Sequence, residues 1–166
     1  MRMRWAKLRA SENPLNSKTK DDKILRGALF KIDKKSSGFW SSPSLRCAEV
    51  ARVLAVRPNP APKLSIDERL YELDFGEWES LLWDEIPIGP REAWAKDWKR
   101  AAPPEGEALP ALEARVREWH AELDEAERHL LIAHAGVVRA LWVIREGLGW
   151  DEAMSRTVPH LKILPM

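Results

Sequence analysis

Apolar side chains recur every three or four positions in four segments of the chain, the pattern of a helix that buries one face. The most regular segment runs from Leu109 to Ala126, and its opposite face is charged. A second begins at the serine cap Ser44 and ends at Ala55, shortly before three closely spaced prolines. The others run from Pro90 to Ala101 and from Ala135 through Ile144. The pattern therefore predicts four helices.

Short apolar runs precede two of these helices and predict β-strands. His129 to Ala133 comes before the helix at Ala135, and Phe39 to Ser41 comes before the helix at Ser44. Weaker strand patterns lie at Trp5 to Leu8 and at Leu161 to Leu164. Strands that alternate with helices predict an α/β domain of three layers, in which a mainly parallel central sheet is flanked by helices.

The composition fits one folded domain over residues 1–166. Hydrophobic residues make up 45% and charged residues 32% of the chain, which excludes disorder throughout. No apolar run approaches the ~18 residues of a membrane-spanning helix, so we expect no membrane partner. The single cysteine, Cys47, allows no internal disulfide and is expected to be a small buried side chain. These features predict a soluble, cytoplasmic protein.

Charge divides the chain unevenly. Residues 1–40 carry a net charge of +7 and the remaining residues a net charge of −6. A basic arm is typical of nucleic-acid binding, but no aromatic side chains are interleaved with these lysines and no helix-turn-helix or zinc-finger pattern is present. We therefore expect no nucleic-acid partner, and we interpret residues 1–40 as an atypical, solvated and poorly ordered segment.

Basic and imidazole side chains follow three of the predicted strands. Arg9, the segment from Ser42 to Arg46, and His134 with Gly136 come at the carboxyl ends of these strands, which form the ligand-binding edge of parallel sheets. Arginine and helix N-terminal amides both bind phosphate well. Motifs for nucleotide hydrolysis, dinucleotide binding and zinc proteolysis are absent from the sequence. The pattern favours a phosphate site, although Arg46 as a surface side chain and His134 as a structural histidine remain open alternatives.

Three segments in this order resemble the histidine phosphatase superfamily. They are SSPSLRC at 41–47, DERLYELDFGEWE at 67–79 and AHAGVVRAL at 133–141, with PPEGEA at 103–108 where the family has PPGGES. The resemblance covers residues 39–166 and is greatest to alpha-ribazole phosphatases and cofactor-dependent phosphoglycerate mutases. It implies a phosphoglycerate mutase-like fold and a hydrolase that acts on a small phosphorylated metabolite.

The resemblance also implies a mechanism without a metal or other cofactor. In the family a histidine of the motif R-H-G-E-T-x-x-N attacks phosphorus, a glutamate protonates the leaving oxygen, and two arginines with a second histidine hold the phosphoryl oxygens. By resemblance, Arg46 is the second arginine, Glu72 the proton donor and His134 the second histidine. Glu107 is the reserve candidate for the acid, and a solvated carboxylate is the alternative reading of Glu72.

The first motif of the family is matched at residues 8–16, except at its nucleophile. Arg9, Glu12 and Asn16 have the expected spacing, and Arg9 and Asn16 are therefore expected to bind phosphate, but Ala10 occupies the place of the histidine. Alanine cannot attack phosphorus, so we expect an impaired phosphatase or, alternatively, a non-catalytic phospholigand-binding protein. Ala10 as an engineered substitution, as a natural loss of activity, or as part of a foreign N-terminal segment are three open interpretations.

Nine tryptophans raise the question of a ligand cage. Trp94, Trp98, Trp119 and Trp142 lie on apolar helical faces and are expected in the core. Trp78 and Trp83 follow the segment that contains Glu72 and are the candidates to line a substrate pocket.

Overall fold

A computed structural model of the protein describes residues 36–55, 63–160 and 164. The predicted phosphate ligands Arg9 and Asn16, and Ala10 in the nucleophile position, lie outside the described residues. The strand predicted at Trp5 to Leu8 also lies outside them, as do three of the four residues of the strand predicted at 161–164.

Three parallel strands form the sheet of the described part of the chain. They are β1 (Ser36–Ser41), β2 (Leu64–Ile66) and β3 (Arg128–Ile132), in the order β2-β1-β3. Phe39 of β1 pairs with Leu64 on one side and with Leu130 on the other. The prediction of an α/β fold with a parallel sheet is confirmed. The short strand β2 was not predicted, because three residues are too few for an alternating pattern to be recognised.

Five α-helices occur in the described residues, and short 3₁₀ turns connect some of them. The helices are α1 (Leu45–Ala55), α2 (Ile88–Lys96), α3 (Leu109–Ala121), α4 (Ala135–Glu146) and α5 (Trp150–Ser155). The 3₁₀ turns are Glu68–Leu70, Gly76–Trp78 and Trp83–Glu85. Among the described helices, none is both long and apolar enough to span a membrane.

Helices α2 and α3 end earlier than the spacing of their apolar residues predicts, in each case near an aspartate. Helix α2 stops at Lys96 rather than at Ala101, because Asp97 leaves the helical conformation with φ −136° and its carbonyl accepts from the next turn. Helix α3 stops at Ala121 rather than at Ala126, since the Asp124 carboxylate accepts from the Ala126 N–H at 2.9 Å. Aspartate diverts the backbone in this way, whereas hydrophobic spacing alone carries no such stop signal.

Apolar side chains on both faces of the sheet divide the core into two clusters. Phe39 on β1 is buried with Ala51 and Leu54 of α1, whereas the neighbouring Trp40 packs against the cluster that α3 and α4 form. Successive residues of a strand face opposite sides, so this alternation places helices on both faces of the sheet. The sheet is therefore the middle of three layers, and the ends of β1 and β3 lie between helices from both sides.

Candidate active site

The carboxyl ends of β1 and β3 lie side by side and bring Ser42 close to His134. The Ser42 N–H donates to the Ile132 carbonyl at 2.9 Å, which extends the pairing of the two strands by one residue. Helix α1 begins three residues later, and His134 is the N-cap of α4. The parallel pairing therefore places the first turns of two helices at one edge of the sheet, as the sequence predicts.

Arg46, His134 and Ser42 form a chain of hydrogen bonds at this edge. Arg46 Nη2 lies 2.9 Å from His134 Nδ1, and His134 Nε2 lies 2.8 Å from Ser42 Oγ. Because a guanidinium can only donate, Nδ1 accepts, and the imidazole proton therefore lies on Nε2 and is donated to Ser42. Arg46 and His134, which are 88 positions apart in the sequence, are thus in direct contact.

Burial keeps the imidazole of His134 uncharged. Its side chain is 7% exposed, and its pKa is lowered to about 4, first by burial and then by the positive charges of Arg46 and Arg115. A neutral imidazole beside a guanidinium is a site in which added negative charge would be favourable. An anion bound here would receive donors from Arg46 and would raise the pKa of His134.

Glu72 contacts the start of α4, directly beside His134. Its Oε1 accepts from the backbone N–H groups of Gly136 and Leu73, both at 3.0 Å. Burial raises the pKa of the Glu72 carboxyl, and these hydrogen bonds offset part of that rise. A Cβ at position 136 would overlap Glu72 Oε1, so the close approach requires glycine. A carboxyl with a raised pKa is suited to donate a proton near neutral pH.

The reserve acid Glu107 has both carboxylate oxygens engaged. Arg115 Nε donates to Oε1 at 2.7 Å and Arg115 Nη2 donates to Oε2 at 2.8 Å. This bidentate ion pair is mostly buried, with the two side chains 20% and 18% exposed. Because both carboxylate oxygens of Glu107 accept from Arg115, the geometry favours a structural role for this side chain over proton donation.

One open cavity of about 670 Å³ connects these groups. Arg46, Glu72, Glu107 and His134 all line it, so the four predicted site residues that the structure describes share one space. Cavities of this size accept small ligands. The described residues contain no group of three or more side chains that could hold a metal ion. The arrangement presents a phosphate-sized anion with donors on one side and a proton-carrying carboxyl on the other.

Trp78 and Trp83 do not line this cavity, contrary to the expectation from the sequence. Their rings lie 5.9 Å and 6.1 Å from the ring of Trp94 at steep angles, and Trp78 is only 7% exposed. Edge-to-face contacts of this kind bury large aromatic area. These tryptophans therefore pack the second and third 3₁₀ turns against α2. Of the four tryptophans expected in the core, Trp119 and Trp142 are buried, whereas Trp94 and Trp98 are only half-buried.

The sequence places Ser42 and Gly136 at the predicted strand ends without giving either a role of its own, and it does not single out Arg115. Ser42 is fully buried, and the Ser-Ser-Pro segment predicted only a turn before the helix. Arg115 belongs to the charged pattern of α3 and gives no signal of its own. Cys47 is buried, as predicted, with Sγ 3.7 Å from His134 Nε2, and burial raises the pKa of its thiol to about 11.

A model of the "Histidine phosphatase superfamily (branch 1)" matches residues 14–163 of the chain. The match begins after Arg9, Ala10 and Glu12. The chain is 32% identical over 108 residues to the adenosylcobalamin/alpha-ribazole phosphatase of Escherichia coli K12, which covers 57% of the chain and 52% of that relative. It is 34% identical over 109 residues to a 2,3-bisphosphoglycerate-dependent phosphoglycerate mutase of Methylobacterium, which covers 58% of the chain and 48% of that relative.

Similarity to solved structures supports the same architecture. The alpha-ribazole phosphatase of Shigella flexneri superimposes with a TM-score of 0.67 at 24% identity, over 80% of this chain and 66% of that chain. Similarity at this level of identity shows the fold alone. The chain spans about half the length of the curated relatives it matches.

Proposed function

The chain belongs to the histidine phosphatase superfamily, and from this membership we propose that its cavity binds the phosphoryl group of a small phosphomonoester. Arg46 and His134 hold the phosphoryl oxygens, and Glu72 protonates the leaving oxygen. The observation that carries the proposal is the direct contact of Arg46 with His134 in the cavity that Glu72 also lines. Arg9 and Asn16 supply further phosphate contacts in this proposal.

The proposed reaction is a double displacement through a phosphohistidine. A histidine nitrogen attacks phosphorus, the bond from phosphorus to the ester oxygen breaks, and Glu72 gives its proton to that oxygen. Water then attacks the phosphohistidine, Glu72 accepts a proton from it, and inorganic phosphate leaves. Clustered donors stabilise the charge that spreads over the equatorial oxygens. Since Ala10 stands in the position of the nucleophile, the first step is impaired in the chain as written.

A phospholigand-binding protein without turnover is the second candidate, and Ala10 is the feature that favours it. Both candidates bind a phosphomonoester, but only the enzyme releases inorganic phosphate over repeated turnovers. Saturable binding measured by calorimetry, together with a phosphate-release assay on the same preparation, separates them.

Replacing Arg46 with alanine is expected to weaken binding of inorganic phosphate about 10- to 100-fold, because a hydrogen bond to a charged group contributes about 1.5–3 kcal/mol. Titration calorimetry with phosphate measures the change. Arg52→Ala is the matched control, since Arg52 is also an exposed arginine on the same helix but does not line the cavity. Equal phosphate affinity in the Arg46 and Arg52 variants would show that Arg46 does not contact the anion and would contradict the proposed site.

Sulfate binding is expected to tighten as the pH falls from 7 to 5. The neutral imidazole of His134 has its pKa lowered to about 4 in the empty site, and a bound dianion raises that pKa. The complex therefore takes up a proton, and linkage limits the gain to about tenfold in affinity per pH unit for each proton. Sulfate is the suitable probe, because it stays a dianion over this range.

Protonation of Glu72 acts in the same direction, because it removes a negative charge beside the anion. His134→Gln and Glu72→Gln are therefore compared separately by calorimetry at several pH values. His134→Gln should flatten most of the pH dependence. A sulfate affinity that does not change with pH in the unaltered protein would show that the anion does not bind beside His134.

A further inference from the structure

The guanidinium of Arg115 on α3 makes five hydrogen bonds, which is the number of N–H groups that an arginine carries. Three of the acceptors are backbone carbonyls of the segment 69–72. Nη1 donates to the carbonyls of Arg69 and Tyr71, at 2.6 Å and 2.8 Å, and Nη2 donates to that of Glu72 at 3.2 Å. The other two bonds go to the two carboxylate oxygens of Glu107. Every donor of this side chain is therefore engaged.

The segment that ends at Glu72 has no regular secondary structure to fix it. The 3₁₀ turn that precedes it ends at Leu70, and residues 71–75 are in neither a helix nor a strand. Partly buried carbonyls in such a segment need partners from elsewhere in the chain. Arg115 supplies these partners, and the full burial of Leu70 fixes the other side of the segment.

Glu72 is thus held at both ends of the residue. Its carbonyl accepts from Arg115 on α3, and its carboxylate accepts from the Gly136 N–H at the start of α4. Helices α3 and α4 pack against each other through buried side chains such as Leu112 and Val137. The two contacts therefore fix the Glu72 carboxyl relative to His134, which caps α4.

We propose that Arg115, anchored by Glu107, is a positioning residue that fixes Glu72 for proton donation to the leaving oxygen. The inference rests on the proposed function of Glu72 as the acid. In this proposal Glu107 orients Arg115, since its bidentate carboxylate directs the planar guanidinium toward the three carbonyls. Lysine cannot reproduce this geometry, because it is a point charge without a planar fork.

The Gly136 amide provides a direct readout, because it donates to the Glu72 carboxylate. Its NMR resonance should follow the ionisation of Glu72, whose pKa burial raises above 4.5. The other charged groups around Glu72 are Arg46 on α1 and Arg139 on α4, and neither arginine titrates near neutral pH. His134 titrates near pH 4, so His134→Gln identifies its share of the shift.

In Arg115→Met the Gly136 resonance is expected to lose most of its pH-dependent shift, with a midpoint closer to the ordinary value for glutamate. Arg115→Lys should have a smaller effect in the same direction, and it replaces the methionine variant if that variant does not fold. Arg117→Met is the matched control, since Arg117 lies on the same helix and pairs with Glu113 at the surface. An unchanged Gly136 titration in Arg115→Met and in Arg115→Lys would overturn the proposal.

Kinetics in the Ala10→His background distinguish positioning from general support of the fold. Arg115→Met should lower kcat for an alkyl phosphate by about 10- to 100-fold, since a displacement of 1 Å can cost about 100-fold. The kcat for p-nitrophenyl phosphate, whose leaving group needs little protonation, should change much less. Equal slowing of both esters would overturn the proposal.

Failure of the proposed function has a different signature. If the Ala10→His protein turns over neither ester while Arg115→Met still alters the Gly136 titration, the assignment of the nucleophile position is wrong and the positioning of Glu72 by Arg115 is supported.

Discussion

Ala10→His is expected to raise the rate of phosphomonoester hydrolysis by about 10⁴-fold or more, the scale on which removal of a covalent nucleophile lowers the activity of an enzyme. The imidazole supplies the lone pair that alanine lacks, while Arg46, His134 and Glu72 already share one cavity. Release of inorganic phosphate from p-nitrophenyl phosphate by the two purified proteins measures the change. Ala10→Gln is the control, because it adds a polar side chain of similar length without a comparable nucleophile.

The covalent intermediate gives a second measurement of the same variant. A phosphoryl group transferred from a labelled ester to the new imidazole should remain through alkaline denaturation and be lost in acid, as expected for a phosphorus–nitrogen bond. Rapid metal-independent hydrolysis by the unaltered protein would contradict the assignment of Ala10 and would require another nucleophile. A folded Ala10→His protein that binds phosphate but stays inactive would show that the lysine-rich segment before Ser41 does not reproduce the first motif of the family.

The sequence predicts those side chains of the site that directly follow a strand. Arg46 and His134 each follow an apolar run that leads into a helix. Because those two runs pair in parallel, their carboxyl ends lie at the same edge of the sheet and the two side chains come into contact. In this pairing Phe39 lies opposite Leu130. Local patterns of this kind are visible in the sequence because periodicity and chain order determine them.

Contacts between a side chain and a distant backbone leave no such pattern. Arg115 reaches three carbonyls that lie 43 to 46 positions earlier in the chain, and any surface arginine of α3 would look the same in the sequence. The prediction that Trp83 lines the substrate pocket is wrong for a related reason. Its packing on Trp94 depends on the irregular path of the backbone between 79 and 88, which hydrophobic spacing does not describe.

Glu72→Gln, made in the Ala10→His protein, is expected to lower kcat for an alkyl phosphate by about 10²- to 10⁴-fold, the usual contribution of a general acid. The glutamine oxygen can still accept from the Gly136 and Leu73 N–H groups, so the fold should be kept, and the sulfate affinity at neutral pH should not weaken. What the substitution removes is the transferable proton. The kcat for p-nitrophenyl phosphate, whose leaving oxygen is already stable as an anion, should fall far less.

The direction in which the rate changes with pH gives a second test of Glu72 as the acid. The acid works in its protonated form, so the rate with the alkyl ester should fall as the pH rises through the pKa of Glu72, which burial raises. Glu72→Gln should abolish that decline. Glu79→Gln is the matched control, because it removes one carboxylate from the same cavity away from Gly136. Glu107→Gln should lower kcat for the alkyl ester by less than about tenfold, because Glu107 does not itself transfer the proton and so lacks the 10²- to 10⁴-fold contribution of a general acid. If Glu107→Gln instead abolished turnover of the alkyl ester while Glu72→Gln did not, Glu107 would be the acid and the bidentate pair with Arg115 would have to open during catalysis.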